Sequence, residues 1–96
     1  MLKRKVGEMK KEIFKATSRT NPSQLAGAIA GTMRDHDCVE IQSIGAGAIN
    51  QSIKGIAIAR GFLSPVGIEI VCSPSFREVE INGELKTAIS LEVTAK

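Results

Sequence analysis

Apolar residues recur along this chain at two spacings, every second position and every third or fourth, and the switches between them mark its elements. Loose alternation predicts a strand over 12–17, with Ile13, Phe14 and Ala16 as apolar members. A turn cluster over 18–23 follows, in which Asn21 ahead of Pro22 suits a helix cap and first helical position. The helix then runs over 22–34, with Leu25, Ala26, Ile29, Ala30 and Met33 on one face. Gly27 and Gly31 weaken it, and close packing against a sheet or a neighbouring subunit would compensate. A second strand covers 39–44, and Gly45-Ala46-Gly47 turns the backbone into a second helix over 46–61. One apolar stripe of that helix carries Ile49, Ile53, Ile56, Ala57 and Arg60, while Ile58 lies on another face beside Gly55. A helix apolar on two sides is buried on two sides. One side is expected on the sheet, the other on a second subunit, with Gly55 and Ile58 in that interface. A loop over 63–67 leads to a strand over 68–72, closed by Ser73-Pro74-Ser75. Residues 78–81 alternate into Asn82-Gly83, a strong hairpin signal. The last strand spans 85–93, with Leu85, Thr87, Ile89, Leu91 and Val93 facing inward.

The order β-α-β-α-β-β makes an α/β fold, a two-layer sandwich with both helices on one face of a small mixed sheet. Residues 11–96 form a single domain, and residues 1–10, charged and without a period, form a flexible basic arm. No apolar run spans a bilayer, and no apolar stretch follows the basic start, so neither a membrane span nor a secretory signal is expected. Cys38 and Cys72, without CxxC spacing, read as free thiols of a reducing cytoplasm.

Charge sharpens this picture once it is divided. Residues 1–20 hold seven Lys or Arg against Glu8 and Glu12, net +5; the remainder holds six against eight, net −2, giving +3 overall. The basic character belongs to the start of the chain, so a nucleic-acid contact in the body requires a local patch.

The chemistry that stands out is the turn at Gly45-Ala46-Gly47. Its glycines accept positive φ or allow a close neighbour, and the helix behind it opens with amides that suit an anion such as phosphate. Asn50, Gln51 and Lys54 add a polar face near the helix start. The alternative is that the glycines only permit a tight strand–helix junction and that Asn50 and Gln51 serve an oligomer contact, which would make the protein an oligomeric protein-interaction or small-anion-binding module without nucleic-acid binding. Other constellations are thin. Asp35-His36-Asp37 reads as a solvated turn rather than a metal site. The pattern G-x-G-x-x-N lacks the third glycine of a dinucleotide site, and no nucleophile–base motif supports catalysis, so neither a cofactor nor an enzymatic activity is expected. Phe14, Phe62 and Phe76 occupy expected core positions, which leaves no platform for stacking bases. Arg60 reads as structural, its charge near the helix end.

The runs AGAIAG, VEIQSIGAGAINQSIKGIAIARGFLSP, CSPSF and GELKTAISLEV closely resemble the stage V sporulation protein S family over residues 13–94. That family is similar to the Alba chromatin proteins, whose fold has the same element order. The resemblance implies a cytoplasmic developmental regulator that binds nucleic acid, DNA included, without sequence preference and forms homodimers or larger oligomers. It places Gly45, Ala46, Gly47, Asn50, Gln51 and Lys54 at the nucleic acid; Lys15 and Arg19 extend that patch and Arg77 reaches a groove. The chain departs from the family pattern at Asp37, where glycine is expected, at Ser43 and Ser52, where alanine is usual, and at Lys86 in place of arginine. Lysine keeps the charge at 86 but loses the planar fork.

Overall fold

The computed structural model describes residues 11–96; the expected basic arm lies outside the described residues. Strand β1 (Lys11–Ala16) leads through helix α1 (Pro22–Thr32) to β2 (Cys38–Ser43). Helix α2 (Ala46–Leu63), a 3-10 turn (Ser64–Val66), β3 (Ile70–Ile81) and β4 (Glu84–Ala95) complete the chain. The sheet order is β1-β2-β4-β3, with β1 parallel to β2 and the other pairs antiparallel. This is the two-layer β-α-β-α-β-β arrangement that the periodicities predict. The core lies between the helices and one face of the sheet, where Leu25, Ile29 and Leu63 meet Val39, Ile41 and Val93.

Local signals set the helix starts. The Asn21 side chain accepts from the amides of Ser23 (2.9 Å) and Gln24 (3.1 Å), and Pro22 opens α1. Gly27 and Gly31 point into open space rather than against a packed neighbour. In α2 the buried stripe is not the isoleucine stripe. It is Ala48, Ser52, Gly55, Ala59 and Leu63, while Ile53 is exposed and Ile49 and Ile56 are half-buried. Small side chains win this face because α1 runs close alongside. A Cβ on Gly55 would lie 2.8 Å from Leu25 Cδ2. The close approach expected between subunits at Gly55 is therefore a contact between two helices of one chain, and Ile58 leans on the same core.

Two strands differ from expectation. β3 does not stop at Ser73-Pro74-Ser75 but continues to Ile81. It is an edge strand, where many amides lack a ladder partner anyway and proline is tolerated. The pairing of β2 with β4 ends at Ser43 and Ile89. Beyond that point β3 and β4 project as a two-stranded arm around Asn82 (φ 53°) and Gly83 (φ 81°). On the arm Leu85 and Thr87 are exposed rather than inward.

Candidate nucleic-acid interface

The site is built where β1 and β2 end and the arm begins. After β1, residues 17–20 form a tight turn: the Thr17 amide donates to Thr20 Oγ1 (2.8 Å) and the Arg19 amide to Thr17 Oγ1 (3.1 Å). This turn docks on the start of α2 at two points. Ser18 fills the space of the missing Gly47 side chain, since a Cβ there would lie 2.8 Å from Ser18 Cβ. Gln51 Nε2 donates to the Thr20 carbonyl (3.0 Å). Gly45 caps the helix at φ 89° and ψ 158°, a combination essentially reserved for glycine, and no side chain caps the first amides. The two glycines thus divide the two tasks that the sequence left open: Gly45 supplies the backbone conformation and Gly47 the close approach.

Between this junction and the arm lies a cavity of about 520 Å³. Lys15, Thr17 and Ser18 line it from the end of β1 and the turn after it, Gln42, Gly45 and Gly47 from the β2–α2 junction, and Val79, Ile81 and Ala88 from the arm. The structure therefore brings Lys15, Gly45 and Gly47 together. Ala46 is exposed between the glycines, and Arg19 is exposed beside Ser18 in the docked turn. Asn50 and Lys54 follow, exposed, along α2, whereas Gln51 is committed to Thr20. Thr17, Ser18, Gln42, Val79 and Ile81 carry no sequence signal of their own. The turn after β1 and the end of β2 bring in Thr17, Ser18 and Gln42, and the folding of the arm past the β2–α2 turn brings in Val79 and Ile81.

Arg77 departs from its expected role. On the sheet face opposite the helices it reaches past β4 to Glu40, with Nη2 3.0 Å from Oε1. Glu40 is only 1% exposed and is also met by Lys11 Nζ (2.6 Å) and Gln42 Nε2 (3.0 Å). Burial by itself raises the Glu40 carboxyl, but hydrogen bonds from Lys11 and Gln42 and the Lys11 charge outweigh it, so the group sits below its usual range. Lys11 is raised in turn, chiefly by its bond to Glu40. Arg77 is thus held to the body of the sheet. The aromatic expectation also fails: Phe76 is 80% exposed on the arm and Phe62 is exposed on α2, leaving Phe14 alone against the core.

Remaining candidates resolve simply. His36 Nδ1 lies 2.8 Å from Asp35 Oδ1, with Glu12 3.7 Å from its other nitrogen. Cys38 and Cys72 are free, and burial pushes both thiols up. Arg60 is exposed and pairs with Glu69 at 3.6 Å. Among the described residues no helix is long and apolar enough to cross a membrane.

The family model described as stage V sporulation protein S (SpoVS) matches residues 12–96. The chain belongs to this family. Among solved structures it is similar to Alba from Thermoplasma volcanium, with a TM-score of 0.58 and 13% identity over 88% of this chain and 99% of that one. At that identity the likeness establishes the fold. Ser43 and Ser52 meet each other at 2.7 Å. Lys86 lies on the exposed arm, 3.8 Å from Glu84, and Asp37 is exposed in the turn before β2.

Proposed function

We propose that this SpoVS-family protein is a non-enzymatic cytoplasmic regulator of sporulation or a related developmental process, binding nucleic acid through its phosphate backbone without reading bases. The observation that carries this reading is the convergence of Lys15, Gly45 and Gly47 on one cleft at the uncapped start of α2. Arg19 and Ala46 flank the cleft, and Asn50, Gln51 and Lys54 continue along α2. Backbone amides, a helix start and separated cations favour phosphate over base edges. Arg77 is not in this contact set, because Glu40 holds it. The working form is a homodimer or larger oligomer, a reading supported by exposed Ile53, Phe62 and Phe76.

The test is a binding titration against DNA and RNA duplexes at several salt concentrations. Affinity should fall steeply with salt, and Lys15→Ala and Lys54→Ala should each reduce the logarithmic salt slope by about 1. Removing the first eight residues should leave body binding in place. Absence of binding at low salt, or loss only when those residues are removed, rejects the reading.

A further inference from the structure

We infer that the cavity between the arm and the glycine turn is a binding site for a small organic anion, one with a flat or branched apolar body and a single phosphate or carboxylate. The cleft is open to solvent, and its volume of about 520 Å³ falls within the range of ligand sites. Its wall has two halves. Ala16, Ile44, Ala48, Val79, Ile81 and Ala88 contribute apolar side chains. Among the described residues that line it, Lys15 is the one charged group, joined by the hydroxyl groups of Thr17 and Ser18 and the amide of Gln42. A phosphate backbone satisfies the polar half and leaves the apolar half wet. A purely apolar ligand strands Lys15. An amphipathic anion covers both, gaining from apolar area removed from water and from a charge-assisted contact. Among the described residues no carboxylate lines the cavity to oppose the negative group. The cavity is shaped by topology. The pairing of β2 stops at Ser43 while the arm continues past it, so Val79 and Ile81 of β3 and Ala88 of β4 line the cavity together with Ile44 and Gly45. The assignment does not depend on nucleic-acid binding, because it rests on the apolar wall.

Naphthyl phosphate is a suitable probe, titrated into full-length protein without nucleic acid and followed by ligand fluorescence and methyl NMR. It should saturate and shift the methyl signals of Ile44, Val79 and Ile81. Inorganic phosphate and neutral naphthol should each bind at least about tenfold more weakly. Lys15→Met, at an exposed position, should weaken naphthyl phosphate about tenfold and leave naphthol unchanged. Ile81→Glu, on the arm, should abolish both, with circular dichroism confirming the fold. Inorganic phosphate matching naphthyl phosphate, shifts mapping elsewhere, or failure to saturate would each overturn the assignment. Full DNA binding alongside any of these would leave the proposed function standing while this inference falls.

Discussion

Ser43 and Ser52 hold their hydroxyl oxygens 2.7 Å apart, fully buried, where β2 and α2 meet. The pair has a direction. Ser52 Oγ donates its one proton to the Ala48 carbonyl at 2.8 Å, so Ser43 must donate to Ser52. Removing Ser52 leaves a buried donor without an acceptor, while removing Ser43 leaves Ser52 still bonded. Ser52→Ala should therefore cost about 1–3 kcal/mol and Ser43→Ala less than about 1 kcal/mol. The double alanine variant should be more stable than Ser52→Ala alone. Urea melts of the four proteins measure this cycle, and strictly additive costs would contradict the bond.

Leu25 and Gly55 make a second coupled pair. Alanine at position 55 overpacks the contact between α1 and α2 at a cost of about 1–3 kcal/mol, offset by about 1 kcal/mol of better helix propensity. A net loss should lower Tm by about 4–8 °C per kcal/mol. With Leu25→Ala in place only the Cβ contact at 3.2 Å remains, and Gly55→Ala should cost clearly less than in the native background. A contact between subunits at Gly55 would instead give a protein-concentration-dependent effect indifferent to Leu25.

Glu40 gives the fold an acid limb. Its folded carboxyl lies below the ordinary value of 4.5, so its stabilisation is present above that value and is lost as pH falls through the folded one. Lys11, raised above 10.5, contributes below that value and loses its contribution as pH climbs through the folded one. Glu40→Gln should destabilise at neutral pH by about 1–3 kcal/mol and flatten the decline below about pH 4.5. Denaturation across the acid range reads both effects, and a variant profile parallel to the native one would remove Glu40 as the cause.

The elements, the cap at Asn21 and the Asn82-Gly83 hairpin were legible because local patterning determines them. The buried face of α2 was not. Hydropathy favours its isoleucines, but the closeness of α1 favours Ala48, Gly55 and Ala59. The same limit hid the partner of Arg77, since Glu40 comes 37 residues earlier and becomes a neighbour only through the β2-β4-β3 order. At the site, sequence located Lys15, Gly45 and Gly47 but not the opposite wall. That wall depends on where β2 stops relative to the arm, which no periodicity records.

Gly45 and Gly47 differ in why they must be glycine, and substitution separates the reasons. At Gly45 there is open space around a built Cβ, yet φ 89° with ψ 158° excludes an L side chain, so alanine costs about 1–3 kcal/mol of backbone strain. At Gly47 the backbone is ordinary helix and the obstacle is Ser18. Alanine there pushes the first turn, with Lys15 and Arg19, away from α2. Ser18→Gly should therefore rescue Gly47→Ala but not Gly45→Ala. Thermal melts read the stability, and amide NMR shifts at residues 17–20 read the turn. Rescue of both variants, or of neither, would mean that Ser18 is not what fixes glycine at position 47.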